Sequence, residues 1–209
     1  MEKSLRRTCP PDLKVIETFR VEGGVAIRLD LHLDRLKRTC LSLGITLDRG
    51  RVQQCLQKLP ATGVYRVRLT VGLEGVVDLQ CVALGPAMPE WNVAVAQPRL
   101  SSGDPWLQIK TTQRALYDET RKTLPRGVDE WIFLNERDEV CEGTITNIFV
   151  ERSEVFLTPP TVSGLLPGVL RESLLVKGRA REQVLRLEDL QDGFWLGNSL
   201  RGLIPAKLV

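Results

Sequence analysis

The chain has 209 residues, 43% hydrophobic and 26% charged, enough apolar material for one large domain or two modest ones. A net charge of +3, scattered basic residues and only 5% aromatics argue against a stacking surface for nucleic acid. No apolar run is long enough for a bilayer span, and the charged N-terminus carries no apolar signal region.

In chain order, Val15–Val21 reads as a strand, Gly23 and Gly24 as its turn, and Val25–Leu29 as a returning strand. Leu33, Leu36, Cys40, Leu41 and Leu43 recur at helical spacing, and Gly44 closes that helix. "DRGRVQQCLQKL" predicts a second helix ended by Pro60, and "GVYRVRLTVGLEGVVDLQCVAL" predicts two strands turning at Gly75. This makes residues 1–84 a small α+β domain. "GPAMPEW", residues 85–91, reads as a linker. Residues 92–209 form a second, larger domain. There "KTTQRALYDETRKTL" predicts a helix with Thr112 as N-cap, and "EWIFLN", "VCEGTITNIFV" and "VFLT" predict a meander. "LPGVLRESLLV" predicts a helix entered through Pro167 and Gly168, and "FWLGN" a late strand.

Five cysteines, Cys9, Cys40, Cys55, Cys81 and Cys141, are scattered with no C-x-x-C pair, and His32 is the only histidine. Neither a metal site nor a Ser-His-Asp or Cys-His arrangement is expected from such a set. Free, dispersed cysteines fit a reducing cytoplasm. An enzyme of this composition needs another base, or a cofactor.

Glu142 poses the main question, because it sits inside the apolar strand pattern of "DEVCEGTITNIFV". A strand glutamate usually faces water, and a buried one needs a partner. Three other stretches suit a phosphate and a cationic ring. A helix starting after Pro167-Gly168 offers the N–H groups of Val169 and Leu170 to an anion, as every helix start does. "LGNSLRGLIP" provides a Gly-Asn-Ser turn with the Ser199 hydroxyl. Lys110 follows an apolar segment and directly precedes the predicted helix, where desolvation lowers an amine's pKa toward nucleophilic use. Together they point to pyridoxal 5′-phosphate, which needs an amine, a phosphate cradle and an acid opposite its pyridine nitrogen.

At this point the sequence resembles the fold-type IV pyridoxal phosphate enzymes, which include branched-chain and D-amino acid aminotransferases and 4-amino-4-deoxychorismate lyase. The resemblance rests on "HLDRL", "IKTTQRAL", "LNERDEVCEGTITNIFV", "LTPPTVSGLLPGVLR" and "LGNSLRGLIPA", in the family's order, and covers the chain from about Val15 to the end. It implies an α+β fold, with a small N-terminal α/β domain and a larger C-terminal domain built on a mixed sheet or pseudo-barrel. It implies that Lys110, in the larger domain, is the Schiff-base lysine and that Glu142 faces the ring nitrogen. It further implies that Arg35, the amides of Val169 and Leu170, Asn198 and Ser199 hold the phosphate. Arg68 and Arg201 are candidates for a substrate carboxylate. Ala115 stands where the aminotransferases carry a tyrosine, and "K-T-x-x-R" and Asn198 are similar to the lyase. The segment before "ETFR" and the loop after "RVRLTV" are shorter than in the family. The resemblance therefore implies 4-amino-4-deoxychorismate lyase, with an amino acid aminotransferase as the alternative and a non-catalytic relative as a third reading. It also implies a cytoplasmic homodimer acting on a small amino-carboxylate, with no nucleic acid or membrane partner.

Overall fold

The computed structural model describes residues 9–86 and 88–209, which cluster into two units. The first unit comprises 9–86 together with the segment Ile109–Gln113. Its centre is β1, Lys14–Glu22, paired antiparallel along its whole length with β3, Val64–Gly72. The short β2, Val25–Ala26, and β4, Val77–Ala83, complete an antiparallel sheet of order β2-β1-β3-β4. Strand alternation puts Val15, Glu17, Phe19 and Val21 on one face of β1, and all four are buried. Helix α1, Leu29–Ser42, buries His32, Arg35, Leu36, Thr39 and Cys40, a single stripe at three- and four-residue spacing. It ends as its sequence predicts. Gly44 takes a left-handed φ of 61°, Ile45 N–H bonds to Cys40 O at 2.8 Å, and Gly44 N–H bonds to Leu41 O at 3.0 Å. Helix α2, Arg49–Leu56, is capped by the Asp48 carboxylate on Arg51 N at 3.0 Å.

Two local expectations change. The returning strand stops at Ala26, because Arg28 turns left-handed at φ 57° and the chain enters α1 at Leu29. Residues Lys110–Thr112 are extended, not helical. Ile16 N–H bonds to Lys110 O at 2.8 Å, Thr112 N–H to Lys14 O at 2.9 Å, and Val15 bridges Thr111. The Thr112 hydroxyl, read as an N-cap, instead accepts from Lys14 N at 2.9 Å. Pairing with β1 outweighs local helix propensity, and Lys110 thereby belongs to the first unit, whereas its sequence neighbours had placed it with the second.

The second unit comprises 88–108 and 114–209. Its strands are β5 (Trp91–Val95), β6 (Glu130–Leu134), β7 (Val140–Gly143), β8 (Asn147–Arg152), β9 (Val155–Thr158), β10 (Ala180–Glu182), β11 (Phe194–Asn198) and β12 (Gly202–Leu208). They form one sheet of order β10-β9-β8-β11-β12-β5-β6-β7, and β7 also pairs with β8. That last pairing closes a six-stranded ring, β8-β11-β12-β5-β6-β7, so its members have no free edge. β5 lies parallel to both β12 and β6, and the other ring pairings are antiparallel. Val93, Ile132, Val140, Ile148, Leu196 and Ile204, one from each strand of the ring, pack into a common core. The opposite face of β8 turns Phe149 toward Leu170 and Leu174 of α4, Val169–Val176. Burial on both faces explains why β6 and β8 read as nearly unbroken apolar runs. Helix α3, Ala115–Lys122, begins five residues after Lys110 and lies near β6.

Candidate active site

The β7–β8 turn, Gly143–Thr146, joins the strands carrying Glu142 and Asn147, which sit opposite each other in the ladder. Glu142 is only 5% exposed, so it does not face water as a strand glutamate usually does. The Tyr117 hydroxyl of α3 donates to Glu142 Oε1 at 2.7 Å. Tyr117 is held by an edge-on contact with Phe133, ring centroids 5.1 Å apart, and by the Arg114 guanidinium 5.4 Å above its ring. Burial and the adjacent carboxylate push the Tyr117 pKa up, so it remains a donor.

Beneath the turn lies Glu130, the first residue of β6 and fully buried. Its Oε1 accepts from Thr144 Oγ1 at 2.5 Å, Arg121 Nη1 at 3.0 Å and Trp131 N at 3.1 Å. Its Oε2 accepts from Ile145 N and Thr146 Oγ1, both at 3.2 Å. Burial raises the Glu130 pKa, against the pull of Thr144 and Arg121. A Cβ at Gly143 would lie 2.3 Å from Thr146 Oγ1 and 3.0 Å from Glu130 Cγ. Glycine follows Glu142 because the Glu130 side chain and the folded-back threonine leave no room for a side chain.

Two further elements hang on this turn. Asn147 Nδ2 donates to Leu166 O at 2.9 Å, and Asn147 Oδ1 occupies the space a Cβ at Gly168 would need, only 1.9 Å away. Gly168 is the N-cap of α4 and supplies no side-chain cap, while Val169 and Leu170 are buried. Asn198, the last residue of β11, donates from Nδ2 to Ile145 O at 3.2 Å. Its Oδ1 accepts from Leu200 N at 3.1 Å and Arg201 N at 2.8 Å, so this carboxamide builds the turn 198–201. Ser199 on that turn is buried. Leu170 lies against Gly197, where a Cβ would meet Leu170 Cδ2 at 2.8 Å. The structure thus brings Glu142, Val169, Leu170, Asn198 and Ser199 onto one connected framework. The Arg201 guanidinium lies 5.8 Å over the Trp91 ring.

In the first unit, Arg35 clamps Glu17 through Nε to Oε1 at 2.8 Å and Nη2 to Oε2 at 2.7 Å. His32 Nδ1 meets the same Oε2 at 2.5 Å; an ionised carboxylate only accepts, so Nδ1 carries the hydrogen. Burial pushes the Glu17 carboxyl up, but the Arg35 charge and hydrogen bonds from His32 and Arg35 outweigh it and hold the pKa below the ordinary value. The His32 pKa is lowered, mainly by burial and slightly by the charges of Arg35 and Lys110. Lys110 is half-buried, and its charge is felt at His32. Arg68 is half-buried on β3, opposite Thr18 of β1 and Gln80 of β4.

Glu17, Tyr117, Arg121 and Glu130 are not singled out in the sequence, and His32 stands out there only as the single histidine. Glu17 carried one signal, an acid on the inward parity of an apolar strand. Glu130 carried another, an acid opening an apolar run.

These residues suit a phosphorylated, cationic ring. The α4 N-terminus is buried and lacks a side-chain cap, which leaves its first amides for an anion. Glu142, beside the turn that joins these elements, is a buried carboxylate.

The model of the family "Amino-transferase class IV" matches residues 14–209. A solved structure from Mesorhizobium loti, provisionally assigned as an amino-acid aminotransferase, is 40% identical and superposes with a TM-score of 0.90 over 95% of this chain and 100% of its own. The aminodeoxychorismate lyase of Bacillus subtilis is 28% identical over 91% of this chain and 75% of its own length. A protein of Methanocaldococcus jannaschii, provisionally assigned as a branched-chain-amino-acid aminotransferase, is 26% identical over 91% of this chain and 76% of its own. No helix among the described residues is long and apolar enough to cross a membrane. The chain belongs to the class IV aminotransferase family of fold-type IV enzymes, which depend on pyridoxal 5′-phosphate and act on small molecules.

Proposed function

We propose that the protein is a 4-amino-4-deoxychorismate lyase, releasing 4-aminobenzoate and pyruvate. The observation that carries this reading is the Asn198 turn. Its carboxamide is bonded to Ile145 O and to two turn amides, an arrangement for which the asparagine of the lyase-like motif is suited. Ala115, in place of the aminotransferase tyrosine, supports the same reading. When bound, pyridoxal phosphate supplies an electron sink.

In this proposal Lys110 provides the amine that anchors the cofactor and afterwards takes the proton from the substrate ring carbon at Nζ. The three-carbon side chain leaves as the ring becomes aromatic, which drives the step. Glu142 keeps a proton on the ring nitrogen, and Tyr117 orients the carboxylate that does so. The amides of Val169 and Leu170, Ser199, the Asn198 turn and Arg35 hold the phosphate, with Glu17 fixing the Arg35 fork. Arg68 and Arg201 meet substrate carboxylates. The active form is a cytoplasmic homodimer with its lysine in the sheet-edge segment 110–112.

The test is incubation of the protein and cofactor with 4-amino-4-deoxychorismate, following 4-aminobenzoate and pyruvate in equal amounts. A second reading, amino transfer, is favoured by the 40% identity to the Mesorhizobium loti protein. Sustained transfer from an amino acid to a 2-oxo acid, with no 4-aminobenzoate formed, would decide for it.

A further inference from the structure

We propose that Glu130 is a positioning residue for phosphate recognition: it fixes the turn from which both halves of the phosphate cradle are hung. The proposal rests on the cofactor assignment above and deepens it. Glu130 lies in β6, is fully buried and spends both oxygens on protein donors, so its action passes through other groups.

The chain of bonds is continuous. Glu130 Oε2 holds the N–H of Ile145, and the carbonyl of that same residue accepts from Asn198 Nδ2. Asn198 Oδ1 in turn holds Leu200 N and Arg201 N, which shapes the turn bearing Ser199. On the other side, Glu130 holds the Thr144 and Thr146 hydroxyls, and the next residue, Asn147, bonds Leu166 O and packs against Gly168 at the start of α4. Arg121 Nη1 bonds both Glu130 Oε1 and Thr144 Oγ1, tying α3 to the same point. One buried carboxylate therefore sets the relative position of two amide-rich elements that contribute nothing to anion binding if they drift apart. Catalytic frameworks need placement within about half an ångström, and a hydrogen-bonded support of this kind supplies it.

A neutral isostere cannot substitute. Three of the groups that Glu130 bonds, Arg121 Nη1, Trp131 N and Ile145 N, can only donate, and they are divided between its two oxygens. In Glu130→Gln one oxygen becomes an N–H₂ group; the threonine hydroxyls can turn to accept from it, but the N–H donors cannot, so either Arg121 Nη1 and Trp131 N or Ile145 N is released. Thr144→Val keeps the shape of the turn and removes one link from each of Glu130 and Arg121.

The experiment compares dissociation constants of pyridoxal 5′-phosphate and of pyridoxal, which lacks the phosphate, by absorbance titration of the full chain, alongside thermal unfolding of the apo-protein. Wild type should favour the phosphorylated form strongly. Glu130→Gln should reduce that preference at least tenfold, and Thr144→Val about threefold, with pyridoxal affinity nearly unchanged. General loosening of the fold lowers the melting temperature and weakens both ligands alike, which leaves the ratio fixed. If Glu130→Gln does not fold, Thr144→Val alone decides. A wild-type preference that survives undiminished in the folded variants overturns the positioning role. A wild type with no preference for the phosphorylated form overturns instead the cofactor assignment on which the role rests.

Discussion

Gly168→Ala probes how the start of α4 is seated. A Cβ there would lie 1.9 Å from Asn147 Oδ1, whereas ordinary contact begins near 3.4 Å, so the carboxamide must retreat by about 1.5 Å. That retreat carries Asn147 Nδ2 out of reach of Leu166 O, 2.9 Å away in the wild type. Backbone strain contributes nothing, because Gly168 has a φ of −68°, open to any residue. Overpacking costs about 1–3 kcal/mol, and stranding a buried polar group about 1–3 kcal/mol. Their sources overlap, so the expected loss is about 2–4 kcal/mol, a fall in melting temperature of roughly 4–16 °C for a chain of this size. Cofactor affinity should fall with it, since the amides of Val169 and Leu170 move. The assay is a double-mutant cycle read by thermal and urea unfolding. In an Asn147→Ala background the obstructing oxygen is gone, and Gly168→Ala should cost under about 1 kcal/mol there. The full cost persisting in that background would refute the steric argument.

Three further outcomes are expected. Tyr117→Phe removes the donor to Glu142 Oε1 while keeping the ring contact with Phe133; a hydrogen bond to a charged group is worth about 1.5–3 kcal/mol, so steady-state kinetics should show kcat reduced tenfold or more, and an unchanged kcat would discard the Tyr117–Glu142 link. Arg35→Lys replaces a two-point fork on Glu17 with a single ammonium and removes one of two charge-assisted bonds; denaturation in urea should show a loss of about 1.5–3 kcal/mol, and equal midpoints would contradict the clamp. The folded pKa values of Glu17 and His32 lie below their ordinary values of 4.5 and 6.5, so each binds protons more readily in the unfolded chain. Stability is then complete above pH 6.5 and falls on acidification, first through His32 and below 4.5 through Glu17. Urea midpoints against pH should show Glu17→Gln flattening the lower limb; an unflattened limb would remove Glu17 from the account.

The sequence made visible what is local or repeated along the chain. Alternation marked β1, helical spacing marked the buried stripe of α1, and Gly44 marked its end. The succession "EGTITN" then "LPGVLR" exposed the hairpin and helix start whose geometry is described above. Partnerships between distant positions were not visible. Glu17 and Arg35 are 18 residues apart and meet only because α1 packs on β1, and Glu130 meets Thr144 only because β6 pairs with β7. Lys110–Thr112 was misread for the same reason, since a threonine before a helical pattern looks like a cap until a strand offers its own backbone groups. Closure of the ring through β7 and β8 depends on strand order, which no stretch of sequence states by itself.

The most direct test of the central claim is reductive trapping. The protein is saturated with pyridoxal 5′-phosphate, reduced with borohydride, digested, and the modified peptide identified by mass spectrometry. The account expects one phosphopyridoxyl group per chain, on Lys110. Modification at another lysine, or none in protein that binds the cofactor, would contradict it.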